Sequence, residues 1–131
     1  MTDSGFRLSV LRERFAICRL DHDAPIPGWA LTGSFVSVTR TAEELSILAP
    51  EADIPDTTKC VRGWNCLKLE GTFDLSSIGI LASLTGPLAH EGISVLALST
   101  FETDYLLVKA EDLAHAIRVF GEAGHQVRQG S

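Results

Sequence analysis

Hydrophobic and polar residues follow regular spacings in the second half of the chain. Residues 64–70 alternate in type, which predicts a strand with one buried face, and Gly71 closes it. The aspartate and serines within 74–77 suit the start of a helix, and Gly92 suits its end. Between them, apolar positions recur every three or four residues, which is the spacing of one helix face. These positions are Ile78, Leu81, Leu84 (or Thr85) and Leu88.

The pattern continues to the end of the chain. Three further strands are predicted by apolar runs at 93–99, 105–109 and 125–128. The first two form a hairpin around a turn at 100–103. A second helix is expected from Glu111 and Asp112, whose charges favour a helix N-terminus, to Gly124. Its apolar face is Leu113, Ile117 and Phe120. This order predicts an α+β fold, a ferredoxin-like βαββαβ unit with both helices on one face of an antiparallel sheet.

The first half of the chain follows the same order less regularly. Strands are predicted at 6–10, 15–20, 34–40 and 45–48. A charged turn at 12–14 is expected to join the first two strands, and one helical turn is expected at 28–32. Residues 50–63 are polar, contain two prolines and predict a linker. We therefore expect a degenerate copy of the unit, with its linker, in 1–63 and a complete unit in 64–131.

Composition and charge narrow the classes of partner. Hydrophobic residues make up 45% of the chain and charged residues 21%, as in globular proteins. Lys and Arg total 11 against 17 Asp and Glu, so the net charge of −6 disfavours nucleic acid. The longest apolar run, 93–98, is far below the roughly 18–20 residues that cross a membrane, so no membrane partner is predicted. Residues 1–5 lack the features of a signal peptide, and a cytoplasmic location is expected.

Residues that carry chemistry are sparse. The cysteines Cys18, Cys60 and Cys66 are odd in number and lack C-x-x-C spacing, which argues against a disulfide framework and a zinc site and favours small buried hydrophobes. The four histidines are scattered, and none is spaced to bind a metal with another on a helix. Nucleophile elbows and phosphate-binding loops are absent from the sequence. We predict no catalytic residue, no metal and no cofactor.

Four segments carry a resemblance to a known family. They read FVSVTRT at 35–41 with EELSI at 43–47, GWNCLK at 63–68, GILASL at 79–84 and STFETDYLLV at 99–108. With these segments in this order the chain resembles small bacterial ACT-domain proteins. It is also similar to the ACT domains of the CASTOR cytosolic arginine sensors and, more distantly, of aspartate kinases. The resemblance implies paired ACT units that hold an amino acid at an interface.

The resemblance also implies which segments form the pocket. In the arginine sensors these are the strand-to-helix loop of one unit, its hairpin turn and a strand edge of another unit. The loop corresponds here to Asp74, Ser76, Ser77, Ile78 and Gly79. The hairpin turn corresponds to Thr100, Phe101, Thr103 and Asp104, and the strand edge to Ser37 and Val38. Because the chain has two units where the sensors have four, the resemblance implies a homodimer.

The residue types at these positions suit an amino acid. A helix that begins near Ser77 presents unpaired N–H groups to a carboxylate, and Gly79 lets a ligand approach the backbone. The Asp104 carboxylate suits an ammonium or guanidinium group, in bonds of roughly 1.5–3 kcal/mol each. Each residue also has a purely structural interpretation. Asp104 is a common turn former, the serines suit N-caps, and Gly79 suits close packing of the helix.

The preferred hypothesis is therefore a non-enzymatic regulatory module that binds an amino acid and signals through a protein partner or through its own oligomeric state. A sensor of this kind is expected to bind with a Kd of about 1 μM to 1 mM. The first alternative is a structural dimerisation module without a ligand. The second is a small enzyme with Asp104 or Glu102 as its acid–base residue.

Overall fold

The chain alternates between strands and short helices, as its hydrophobic pattern indicates. The computed structural model describes residues 5–73 and 77–129. The strands of these ranges are β1 (Arg7–Leu20), β2 (Ser37–Arg40), β3 (Leu45–Pro50), β4 (Cys60–Leu69), β5 (Val95–Ser99), β6 (Asp104–Lys109) and β7 (Gln126–Arg128). The α-helices are α1 (Ile80–His90) and α2 (Leu113–Glu122), and short 3-10 helices lie at Gly28–Ala30, Glu51–Asp53 and Ala110–Asp112.

The described residues form two compact units. The C-terminal unit contains residues 5–12, 65–73 and 77–129, and the N-terminal unit contains Glu13–Trp64. Strands β1 and β4 each contribute residues to both units, because the unit boundaries fall within them. Residues 5–12 therefore belong with the C-terminal unit, whereas the predicted division kept them with the rest of 1–63.

The C-terminal unit has the predicted βαββαβ order, in β4, α1, β5, β6, α2 and β7. Its strands lie in the order β5-β6-β4-β1-β7, with the start of β1 inserted between β4 and β7. The Glu70 N–H donates to the Arg7 carbonyl at 2.8 Å, and β7 runs parallel to β1 with Leu8 opposite Val127. The α+β, ferredoxin-like fold is confirmed, with one strand added to its sheet.

Both helices of this unit pack on the same face of the sheet. Leu84 and Leu88 of α1 are fully buried, as is Phe120 of α2. They share one hydrophobic cluster with side chains of β1, β4 and β6, namely Leu8, Leu67, Leu69, Leu106 and Val108. The 3.6-residue period of the sequence is thus matched by one continuous core, which fixes both helices on the sheet.

Two details of the predicted helix faces are wrong. Ile78 is 95% exposed, because α1 begins only at Ile80, after Gly79 has turned the backbone with a φ of 81°. In α2 the buried residues are Ala116, Val119 and Phe120, whereas Ile117 is only half-buried. In both helices the spacing predicted the helix correctly, but burial depends on where the first turn starts and how the helix is rotated on the sheet.

The N-terminal unit has strands in the order β2-β3-β1-β4. Antiparallel pairing sets Cys18 of β1 opposite Ile47 of β3, and Val38 of β2 lies on the other side of Ile47. Short 3-10 helices at Gly28–Ala30 and Glu51–Asp53 follow β1 and β3. Its core is a cluster of small and medium side chains: Ala16, Cys18, Ala30, Leu45, Ile47, Ala49 and Ile54.

Two expectations for the first half of the chain are wrong. Residues 12–14 form no turn, and β1 continues through them as one strand with their charged side chains exposed. A strand depends on backbone bonds to its neighbours, so a polar stretch with solvated side chains does not end it. The expected linker, 50–63, contains a 3-10 helix and the start of β4, and Arg62 donates to the carbonyl oxygens of Glu51 and Ile54 at 3.0 and 3.2 Å.

The burial of α1 provides a direct test of this core. We expect Leu84→Ala to lower the free energy of unfolding by about 2–5 kcal/mol, because it leaves a cavity under α1. Ile78→Ala is the control, because Ile78 was predicted to lie on the same helix face but is exposed. We expect it to change the free energy of unfolding by less than about 0.5 kcal/mol. Chemical denaturation followed by circular dichroism measures both. Equal losses in the two variants would contradict the placement of the helix start.

Candidate functional site

A hollow lies in the C-terminal unit between the start of α1 and the turn that joins β5 to β6. Its volume is about 350 Å³. This is at the lower end of the range of about 300–1,000 Å³ typical of small-molecule sites. The hollow is lined by Phe73, Ser77, Gly79, Ile80, Leu81, Ala82, Ser99, Thr100, Phe101, Glu102, Thr103 and Asp104.

One wall of the hollow is the first turn of α1. Gly79 precedes the helix in the left-handed region, which glycine adopts without the steric cost that a side chain imposes. The first intrahelical bond runs from the Ser83 N–H to the Gly79 carbonyl at 3.0 Å. The N–H groups of residues 80–82 therefore have no acceptor within the helix, and they lie at its positive end. This wall favours an anionic group.

The opposite wall is a hairpin turn held by its own hydroxyl groups. The Thr100 N–H donates to the Thr103 carbonyl at 2.8 Å, and the Thr103 N–H donates to Thr100 Oγ1 at 3.3 Å. Thr103 Oγ1 donates to the Leu69 carbonyl at 2.7 Å, and Thr103 is buried. The hydroxyl groups of both threonines thus stabilise the turn and attach it to β4.

Asp104 lies at the base of this turn, directly opposite Ser99 across the hairpin. The Ser99 hydroxyl donates to Asp104 Oδ1 at 2.5 Å. An ionised carboxylate has two oxygens with roughly four lone-pair sites, so this bond uses only part of its capacity. Ser99 therefore orients Asp104 while leaving it able to accept bonds from a cationic group.

The rim of the hollow combines an aromatic ring with a second acidic residue. Phe101 is 79% exposed at the tip of the turn. The carboxyl side chain of the next residue, Glu102, is exposed, and its backbone carbonyl accepts a bond from the Phe73 N–H at 2.8 Å. Among the described residues that line the hollow, Glu102 and Asp104 have charged side chains, so the hairpin wall carries negative charge opposite the positive end of α1.

Six of the predicted ligand-binding residues come together in this hollow: Ser77, Gly79, Thr100, Phe101, Thr103 and Asp104. Asp74 and Ser76 lie outside the described residues. Ile78 lines a separate hollow together with Phe6 and His125. Ser37 and Val38 belong to β2 of the N-terminal unit, where they pair with Leu48 and Ile47.

Six lining residues lie outside the predicted ligand-binding set: Phe73, Ile80, Leu81, Ala82, Ser99 and Glu102. Ser99 follows from the predicted hairpin itself, because a turn at 100–103 pairs residue 99 with residue 104. Residues 80–82 are identified only once the helix start is known to be Ile80. Phe73 carries no signal in the sequence, because its position depends on the path of the loop after β4.

The described residues contain no cluster of three or more His, Cys, Asp or Glu side chains placed to hold a metal ion. None of the helices in residues 5–73 and 77–129 has the length and apolar character needed to cross a membrane. Separately, the residues that line the hollow offer hydrogen-bonding and charged groups, which suit a small polar molecule.

Comparisons with known proteins identify the family of this fold, and the match supports a regulatory ligand-binding module in general. The ACT domain family model matches residues 59–122, and a second family model, for an N-terminal domain, matches residues 13–57. The chain belongs to the ACT-domain family.

Solved structures are similar to most of the chain. The protein Atu0741 from Agobacterium tumefaciens is 37% identical, with a TM-score of 0.92 over 97% of this chain and 95% of that one. The aspartate kinase of Clostridium acetobutylicum has a TM-score of 0.68 at 11% identity, over 94% of this chain and 36% of that one. The regulatory subunit of aspartate kinase from Thermus thermophilus has a TM-score of 0.62 at 12% identity, over 87% and 96%. The two kinase structures share the fold.

The bond from Thr103 to Leu69 is expected to hold the hairpin wall in place. Thr103→Val keeps the shape of the side chain but removes this bond and leaves the Leu69 carbonyl without its donor. We expect a loss of about 1–3 kcal/mol in the free energy of unfolding, measured by chemical denaturation. Ser99→Ala removes an exposed bond of the same hairpin, and we expect a change below about 0.5 kcal/mol. A neutral Thr103→Val would show that the turn does not depend on this bond.

Proposed function

We propose that the protein is a non-enzymatic regulatory module that binds a free amino acid in the hollow between α1 and the β5–β6 turn. The observation that carries the proposal is that the two walls of the hollow of about 350 Å³ have opposite electrostatic character. Backbone N–H groups at the start of α1 form the positive wall, and Asp104 lies in the negative wall. A zwitterion has the same two charges at a short, fixed separation. Membership of the ACT-domain family supports a regulatory role.

The binding mode follows from the two walls. The ligand carboxylate accepts bonds from the first-turn N–H groups of α1, and its ammonium donates to Asp104, which Ser99 orients. The ligand side chain then lies near Phe101 and Glu102, where a cationic group gains a second acidic partner. One charge-assisted bond of roughly 1.5–3 kcal/mol together with an anion site is sufficient for a Kd of about 1 μM to 1 mM.

Ligand binding is expected to raise thermal stability for one amino acid or a small group of them. At a concentration of about 100 times Kd, the free energy of unfolding rises by about 2.7 kcal/mol. Thermal shift across the twenty amino acids identifies the ligand, and calorimetry measures its Kd. We expect Asp104→Asn to weaken binding about tenfold to a hundredfold, because a charged acceptor is lost. Asp23→Asn, an exposed substitution in the N-terminal unit, makes the same change in charge and is expected to leave Kd unaltered.

If no amino acid changes the melting temperature, the proposal is wrong, and a structural dimerisation module without a ligand becomes the better interpretation. If an amino acid binds but Asp104→Asn behaves like Asp23→Asn, the ligand lies elsewhere in the protein. An enzyme would be indicated instead by turnover that Asp104→Asn abolishes while ligand affinity is retained.

We further propose that the protein acts as a homodimer in the cytoplasm. Phe101 lines the hollow and is 79% exposed, and aromatic residues are enriched in protein interfaces. A second copy placed there would close the hollow, with the strand edge at Ser37 and Val38 as its predicted contribution. The ligand would then link the two copies, so that binding changes the oligomeric state or the surface presented to a protein partner.

Light scattering coupled to size exclusion tests the dimer. We expect a mass about twice the 14.1 kDa of the chain at micromolar concentration. Phe101→Asp is expected to shift the protein to the monomer, because it places a charge in an apolar contact. Leu31→Asp, at a residue of the N-terminal unit that is 66% exposed, is the matched control and should leave the mass unchanged. A wild-type protein that is monomeric with the ligand present would contradict the interfacial site.

A further inference from the structure

Two cysteines that are far apart in the sequence lie side by side in the N-terminal unit. Cys18 is in β1 and Cys60 is the first residue of β4, and these strands are neighbours in the sheet. The Arg19 N–H donates to the Lys59 carbonyl at 3.0 Å. Because partners in an antiparallel pair change by one residue in opposite directions, this bond sets Cys18 opposite Cys60, with both side chains on the same face.

The two side chains belong to the same hydrophobic cluster. Cys18 is one of its buried members, and the partly buried Cys60 packs against it. Directly opposite residues of antiparallel strands have Cα atoms about 4.5–5.5 Å apart, which lies within the range of about 4.4–6.8 Å found for disulfides. The backbone therefore already has the separation that a covalent bond between these sulfurs requires.

The pair differs in access to solvent. Cys18 is 2% exposed, whereas Cys60 is half-buried at the rim of the cluster. The pKa of Cys18 is raised to about 11, chiefly by burial and also by the neighbouring Cys60 thiol, while the Arg62 guanidinium acts in the opposite direction. Because Cys60 is the more accessible thiol, it is the residue that reacts first. Its modification removes the thiol that raises the pKa of Cys18 and leaves the Arg62 guanidinium that lowers it, which favours ionisation of Cys18.

We propose that Cys18 and Cys60 are a reversible dithiol–disulfide pair that is oxidised by small-molecule disulfides of the glutathione type. The Cys60 thiolate attacks one sulfur of the oxidant and releases one small thiolate, which leaves a mixed disulfide. Cys18 loses its proton to solvent, attacks the Cys60 sulfur and releases the second small thiolate. Two protein thiols are oxidised to one disulfide, and one small disulfide is reduced to two thiols.

The consequence of oxidation is local to the N-terminal unit. The new bond links β1 to β4 and closes the loop of residues 18–60, which contains β2 and β3. Cys66 has a different setting, in the core of the C-terminal unit. It is fully buried, and burial raises its pKa to about 12. It therefore serves as an internal control that remains a thiol under the same treatment.

The test uses the full chain and oxidised glutathione, followed by alkylation of free thiols and mass spectrometry of the intact protein and its peptides. We expect the mass of the intact protein to fall by two hydrogen atoms. We also expect a cross-linked peptide pair that contains Cys18 and Cys60, and alkylation at Cys66 alone. A thiol reductant should restore three alkylated cysteines. Cys66→Ala should form the same disulfide.

Two variants separate the steps. Cys18→Ala keeps a small apolar side chain in the cluster, and we expect it to retain a stable glutathione adduct at Cys60. Cys60→Ser should show neither an adduct nor a disulfide at Cys18. The proposal is overturned if wild-type protein keeps the adduct at Cys60, if it forms only disulfides between chains, or if Cys18 and Cys60 remain free thiols at oxidant concentrations that modify the Cys18→Ala variant.

Discussion

The packing of α1 on the sheet of the C-terminal unit positions the helix wall of the candidate site. Leu84 and Leu88 are fully buried against strand residues such as Leu67 and Leu106. Burial of a leucine side chain contributes roughly 1.5–3 kcal/mol, so these two contacts are enough to fix the helix against rotation. With the helix fixed, its first turn lies beside the β5–β6 hairpin. The hollow is the space left between them.

The hairpin side of the hollow is stabilised by short-range hydrogen bonds. Thr100 and Thr103 bond to each other across the turn, and Thr103 also bonds to the Leu69 carbonyl of β4. Asp104 is oriented by Ser99 and retains accepting capacity. A site of this construction has its polar groups in place before a ligand arrives, so ordering these groups adds little to the entropic cost of binding. This property suits the recognition of a small molecule.

Each unit, taken by itself, has the same order of strands. If the strands of each unit are numbered in chain order, the N-terminal sheet has the order second, third, first, fourth (β2-β3-β1-β4). The C-terminal sheet has the same order (β5-β6-β4-β7), except that the start of β1 lies between β4 and β7. In the N-terminal unit, 3-10 helices of three residues stand where the C-terminal unit has α-helices of 11 and 10 residues. This correspondence supports the proposal that the N-terminal unit is a degenerate copy of the ACT unit. Its core consists of small and medium side chains, and Cys18 and Cys60 belong to that cluster.

The sequence by itself determined the βαββαβ order, both α-helices and the hairpin with Asp104 at its base, because these depend on periodicity and on turn residues within short segments. It also indicated Ser77, Gly79 and the 100–104 turn as a set, although only through a family resemblance. Tertiary structure decided that Ile78 is exposed, that β1 is one strand through 12–14, and that Cys18 lies opposite Cys60. These features depend on helix rotation, on backbone pairing between distant segments and on strand register. Such long-range contacts leave no periodic trace in the residues that make them.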